Sequence, residues 1–252
     1  MIVSEDEMKN RIEKNLKTLD MYKSMWDKII PGKIATAYHS MALESRGIAI
    51  YTLLLGNREE SIEWFEQAAH NYLKCTESSM EYYHSYLESD VGVYLGALYM
   101  SIFSGNTDLM TEVANEMPKK HADIPEKFPD VAINFYYLKA LESLILDKLD
   151  DVSNFTKKVA EINKTKKSDF FEGALRFIEG IQTSDANAVK EGVNKDLKVH
   201  KKRITKGLLT ADELVDISGC AFLLLARDKG IEIKPSDIEE KYREYIPWNL
   251  FE

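Results

Sequence analysis

The sequence predicts an all-α protein. Apolar residues recur at the 3.6-residue helical period in almost every segment, and no alternating strand pattern survives more than a few residues. Glycine and proline fall mostly between the periodic runs. The clearest single segment is Thr210 to Gly230, TADELVDISGCAFLLLARDKG. Thr210 and Glu213 make a capping-box pair, Leu214, Ile217, Ser218, Ala221, Phe222 and Leu225 keep helical spacing, and Gly230 supplies a left-handed stop. Leu223 and Leu224 put apolar surface on the remaining faces, so one continuous helix surrounded by protein is expected here.

The other elements follow in order. Residues 5–28 read as a first helix with Met8, Ile12, Leu16, Leu19 and Trp26 on one stripe, broken by Pro31-Gly32. A second carries Ala35, Tyr38, Ala42, Ser45, Ala49, Thr52 and Leu53 and stops at Gly56-Asn57. A third runs to about Cys75, with Ile62, Phe65, Ala69, Tyr72 and Leu73 inside and Glu59, Glu63, Glu66 and His70 outside. A fourth, 78–104, uses Tyr83, Leu87, Val91, Tyr94, Leu98 and Ile102. Its Gly92 and Gly96, one turn apart, would let another helix approach closely. Past Gly105-Asn106 a short helix carries Leu109, Val113 and Met117.

Pro118 to Pro129 holds half of all the prolines and reads as an irregular crossover. It is the one plausible seam, at 118–129, in an otherwise single domain over 1–252. Helices resume at 130–147, 150–163, 168–181 and 185–200, and the basic run KVHKKRITK (198–206) reads as a helix end entering a loop. A short helix near 236–244 and the tail Tyr245 to Glu252 close the chain.

Helix–turn–helix units can be overlaid. IAIYTLLLGNREESIEWFEQAA (48–69) resembles a tetratricopeptide repeat: an apolar helix, Gly-Asn, and a second helix with small residues at the contact. Residues 93–114, 135–160 and 171–192 share the layout, with turns too unevenly spaced for a consensus repeat. Stacked antiparallel helical hairpins, an irregular tetratricopeptide-like array closed by a buried C-terminal helix, are the expected architecture, since each pair alone leaves an apolar face uncovered.

Composition narrows the function classes. The 252 residues are 44% hydrophobic and 30% charged, as in an ordinary globular protein. The start MIVSEDEMKN lacks the basic and apolar regions of a secretory leader, and Cys220 to Ala226 is too short an apolar run to cross a bilayer. Cys75 and Cys220, with no CxxC pairing, suggest buried thiols in a reducing compartment, so a cytoplasmic location is expected. A net charge of −9 argues against direct nucleic-acid binding. From Glu44 to Glu116 there are twelve acidic residues against three basic ones, so this window alone carries −9 while the rest is balanced. Such a field would steer a basic partner.

No catalytic signature is present: no GxSxG, HExxH or GxGxxG, and Gly32-Lys33 lacks the upstream glycine of a phosphate loop. Glu81-Tyr-Tyr-His84 has the spacing of two metal ligands on one helical face, but no second such motif completes a site. His70 and Cys75 diverge on their helix, so an inert thiol is expected there. No catalytic residue, metal or cofactor is therefore called for. What stands out is an acidic and tyrosine-rich set: Glu59, Glu60, Glu63, Glu66, Glu81, Tyr82, Tyr83, Tyr86, Glu88 and Asp90. Tyrosines give contact area at low entropic cost and carboxylates accept bidentate bonds from arginine, a mixture suited to an interface with a basic protein. The same residues also suit a solvated face with part of the tyrosines in the core.

At the C-terminal end, CAFLLLARDKGIEI (220–233) followed by Tyr245-Ile-Pro247-Trp-Asn-Leu250 resembles the closing pattern of the immunity protein 49 family of bacterial polymorphic-toxin systems. Ala226, Arg227, Gly230, Tyr245, Pro247 and Leu250 are the positions that align. The resemblance implies a helical, cytoplasmic antidote that binds and occludes one cognate protein toxin, a nuclease being one such enzyme; that no membrane is involved is expected from the lack of a long apolar run. It carries no catalytic residue with it, and physically it describes a core helix with a tail docked on it. A tetratricopeptide-like scaffold or peptide-binding regulator is the alternative reading.

Overall fold

The computed structural model describes residues 3–83, 89–116, 123–204 and 210–251. Among them every regular element is helical, so the chain is all-α. It divides into two compact units, residues 1–131 and 132–252. Among the described residues no helix is long and apolar enough to cross a membrane.

In the first unit, α1 (Glu5–Ser24) begins where the Ser4 hydroxyl accepts the Glu7 N–H at 3.2 Å, with Glu5, Asp6 and Glu7 against the positive end of the helix dipole. It stops at Ser24, short of the expected residue 28, and two 3-10 turns, Trp26–Lys28 and Pro31–Lys33, lead into α2 (Ile34–Leu54). Leu19 of α1 meets Met41 and Ile48 of α2, with Trp26 and Trp64 packed alongside. α3 (Arg58–Tyr83), α4 (Asp90–Ser104) and α5 (Thr107–Glu116) follow, each packed on the helix before it. Turns of two or three residues at Gly56-Asn57 and Gly105-Asn106 force those neighbours antiparallel. Phe65 and Phe103 lock α3 to α4 with ring centroids 4.9 Å apart.

Two expectations for this unit change. α3 does not end near Cys75. Thr76 and Ser79 are buried, and the Thr76 hydroxyl donates to the Leu73 carbonyl at 2.7 Å, so these polar residues are absorbed into the helix instead of breaking it. The predicted fourth helix correspondingly begins at Asp90, not 78. Of the two glycines on it, only Gly96 serves a close approach: a Cβ there would lie 3.0 Å from the Tyr72 ring, whereas at Gly92 it would meet nothing. The expected irregular crossover contains a short helix α6 (Ile124–Lys127) and a 3-10 turn Pro129–Val131.

The second unit runs α7 (Ala132–Ile145), α8 (Leu149–Lys166), α9 (Asp169–Thr183) and α10 (Ala186–Arg203), each again packed on its predecessor. The α9–α10 contact is the tightest. A Cβ on Gly192 would stand 2.6 Å from the Phe177 nitrogen and 2.7 Å from the Gly173 carbonyl oxygen, and one on Gly180 would stand 2.6 Å from the Val189 nitrogen. The two backbones touch because these positions carry no side chain.

The segment 210–230 is not one helix. α11 (Ala211–Leu214) ends at Val215, and α12 (Ile217–Asp228) starts afresh with Asp216 as its N-cap, Oδ1 accepting the Gly219 N–H at 3.2 Å. The expected glycine stop holds: Gly230 sits at φ +77°, and the Ile231 N–H returns to the Ala226 carbonyl at 2.8 Å. Gly219 through Ala226 are all buried, as expected of a surrounded helix, although Ala97 to Ser104 of α4 is as fully enclosed. The tail docks on α12. Tyr245 accepts the Asp216 N–H at 3.0 Å, Phe251 accepts from Arg227 Nη1 at 3.1 Å, and Ile246 and Leu250 are buried.

Candidate functional site

α3 spans 26 residues, about 39 Å of helix. Its apolar side, with Phe65, Ala68, Ala69, Tyr72 and Cys75, is buried between α2 and α4. That leaves one solvent face. At about 100° per residue, Glu59, Glu63, Glu66, Glu77 and Glu81 fall within about 60° of arc on it, so one line of carboxylates runs the length of the helix. Glu59, Glu63, Glu77 and Glu81 are exposed. Glu66 is half-buried and accepts from Asn106 Nδ2 at 2.9 Å, which ties the line to the α4–α5 turn.

Among the described residues no ion pair involves Glu59, Glu63, Glu66, Glu77 or Glu81. The one lysine within the line, Lys74, has its ammonium 5.8 Å from the centre of the Tyr38 ring. Burial, reinforced by Glu77, pushes the Tyr38 phenol above its ordinary value. On α9, by contrast, Asp169 pairs with Lys202 at 2.8 Å, Glu172 with Lys195 at 2.5 Å and Glu179 with Arg176 at 2.8 Å. The α3 carboxylates are thus left to face outward, while those of α9 are neutralised at home.

The sequence-derived set does not form one patch. Glu59, Glu63, Glu66 and Glu81 lie along the line. Glu60 stands to its side and accepts from Asn57 Nδ2 at 2.6 Å, closing the first turn of α3. Tyr82 lies off the line, about 100° round the helix from Glu81. It is 49% exposed and its ring covers Gly32, where a Cβ would come within 2.8 Å. Ile30, two residues before that glycine, is exposed as well, and Trp26 packs on Tyr38 at 4.8 Å. An aromatic and aliphatic corner therefore borders the acidic line at its C-terminal end. Asp90 is a correction. It is 1% exposed, and its charge helps raise the Cys75 thiol, so it belongs to the interior and offers nothing to a partner. The side chain of Tyr83, and Tyr86 and Glu88 as a whole, lie outside the described residues, as does His84 of the Glu-x-x-His pair.

The chemistry-bearing groups elsewhere are structural in setting. Burial first, then Asp90, pushes the Cys75 thiol up to about 12, while His70 is exposed on the other side of α3. Among the described residues no group of three or more histidines, cysteines and carboxylates could hold a metal ion. The basic end of α10 is held locally: Lys202 by Asp169, and Lys201 by the Lys241 carbonyl at 3.0 Å. A polar cleft on α10 lined by Lys190, Glu191, Asn194 and Lys195 has those groups engaged with Asp237, Arg176, the Glu239 N–H and Glu172.

Sequence reasoning missed one cluster, Asp196 with Asp216, both buried in the second unit. A signal was present: Asp196 and His200 continue the apolar stripe of Val189 and Val193 on α10. Comparison with known proteins adds no family: no family model matches the chain, and neither a characterised protein nor a solved structure was found to match it.

Proposed function

We propose that the chain is an immunity protein, a cytoplasmic antidote that binds one cognate protein toxin with a basic surface and blocks it without transforming anything. The observation that supports this reading best is the line of five α3 carboxylates with no cationic partner among the described residues, bordered by exposed Tyr82 and Ile30. An acidic line steers a basic partner into encounter, and an apolar corner beside it gives that partner area to bury. A toxin that acts on nucleic acid needs a basic cleft to hold phosphates, and this face has the charge to fill such a cleft. The resemblance of Ala226, Arg227, Gly230, Tyr245, Pro247 and Leu250 to the immunity protein 49 family points the same way. The scaffold reading draws less support, because the polar groups of the α10 cleft are already engaged with Asp237, Arg176, the Glu239 N–H and Glu172.

The test is binding to the toxin domain encoded beside this protein's own reading frame. Calorimetric titration at two salt concentrations should give an affinity that falls with salt. Glu59→Lys with Glu63→Lys should weaken it by about tenfold at low salt and flatten its salt dependence. Unchanged affinity and salt dependence in that variant would remove the acidic line from the mechanism, and a neighbouring frame with no toxin domain would count against the class.

A further inference from the structure

Asp196 and Asp216 come from different elements, one on the inner face of α10 and the other at the head of α12, and each is 2% exposed. Four carboxylate oxygens meet there with few donors. Asp216 Oδ1 takes the Gly219 N–H at 3.2 Å and the Ser218 hydroxyl at 3.1 Å, and Asp196 competes for that same hydroxyl. The Oδ2 atoms of both residues are enclosed and without a hydrogen-bond partner among the described residues. They converge on one spot: a Cβ on Gly219 would stand 2.9 Å from Asp216 Oδ2 and 3.6 Å from Asp196 Oδ2. A buried carboxylate oxygen with no donor is costly, and two facing carboxylates cannot both ionise cheaply.

Among the described residues no cationic group donates to either Oδ2, and those nearby act on the pair from further off. His200 on α10 lies with Nε2 3.2 Å from the Glu213 carbonyl oxygen, which only accepts, so Nε2 carries a hydrogen, and with Nδ1 3.9 Å from Asp216 Oδ1, whose carboxyl it pulls down. Arg203 on α10 acts on both carboxylates through its charge alone. From α12, Cys220 is a buried thiol held protonated by burial and by both aspartates. From the tail, Tyr245 offers its ring edge to His200 at 5.1 Å and its carbonyl to the Asp216 N–H, with Lys201 above the ring.

We propose that Asp196 and Asp216 hold one proton between them, and that this proton latches α10 to the start of α12, so that the second unit tightens as pH falls and loosens as it rises. A single carboxylic proton is the donor that the two Oδ2 atoms lack. Burial raises both groups, and Asp216 raises Asp196 further, which agrees with the geometry. In the unfolded chain both aspartates ionise near pH 3.9. Above that pH the folded pair retains a proton that the unfolded chain has lost. Raising pH therefore favours opening, by up to about tenfold in the opening equilibrium per pH unit for one proton.

Hydrogen exchange of the full chain between pH 5 and 8, corrected for the intrinsic pH dependence of exchange, reads this directly. Protection of peptides from α10 and α12 should fall by up to about tenfold per pH unit. Asp196→Asn, which gives Asp216 a permanent N–H donor, should flatten that dependence and exceed the wild-type protection at pH 8. The carboxyl 13C shifts of the wild-type protein decide the matter even if the variant does not fold: one proton retained on the pair at pH 7 supports the latch. Both carboxyls ionised at pH 5, or pH-independent protection of α10 and α12 in the wild-type chain, overturns it.

Discussion

Phe177 of α9 lies flat on Phe222 of α12, ring centroids 4.1 Å apart and planes 9° from parallel, and neither ring is exposed. This stack joins the glycine-tight α9–α10 pair to the helix that the sequence marks as central. Removing the ring leaves a cavity whose walls are fixed by backbone contact. Phe222→Ala should cost about 3–5 kcal/mol, and Phe222→Leu, which keeps most of the volume, about 1 kcal/mol. Denaturant unfolding measures both, and a near-neutral alanine variant would show the stack to be dispensable.

Gly192 and Gly92 should respond oppositely to alanine. At Gly192 the new Cβ meets backbone atoms of Phe177 and Gly173 that have nowhere to go, so Gly192→Ala should cost about 1–3 kcal/mol. At Gly92 it meets nothing, and the helix gains by about 0.5–1 kcal/mol. Melting temperatures moving in opposite directions would bear this out.

Lys139 and Glu142 of α7 form a buried pair at 2.7 Å beside Phe155, where burial pushes the Glu142 carboxyl up to about 7 against the pull of Lys139. Its ordinary value is about 4.3. Stability contributed by the protonated form is thus whole below that pH and is lost as pH climbs toward 7. Past 7 the folded carboxyl ionises onto Lys139 and the loss levels off. Lys139→Met removes a buried charge but also that rescue. The variant should match or exceed the wild type at pH 5 and fall behind it by about 1 kcal/mol at pH 8. Urea titrations at the two pH values read the crossing.

Both thiols should be inert in the folded protein. Cys75 and Cys220 are buried and their thiolate forms are disfavoured by burial and by neighbouring aspartates. A thiol reagent at pH 8 should label neither until denaturant is added. Rapid labelling of one under native conditions would mean that its surroundings open readily.

What the sequence disclosed followed periodicity. The α2 stripe, the Gly-Asn turns and the Gly230 stop all rest on neighbours three to seven residues apart, and the structure places them as read. Boundaries failed where polar residues have two uses. The expected gap between Cys75 and residue 78 is helix, with Thr76 and Ser79 buried as α3 continues, whereas Asp216 sat unnoticed in an apolar run and begins a new helix. The acidic line on α3 was visible as spacing. The α10 stripe marks Asp196 as inward-facing, but the burial of Asp90 and the meeting of Asp196 with Asp216, twenty residues apart, depend on which helices pack together.

The glycine seam between α9 and α10 carries a mechanical consequence. Paired helices ordinarily slide because a layer of side chains between them can re-sort its rotamers. Here the main chains rest against each other, so that lubricating layer is missing along much of the interface. A push delivered at the free end of either helix must be handed on to its mate whole, and the pair behaves as a single strut.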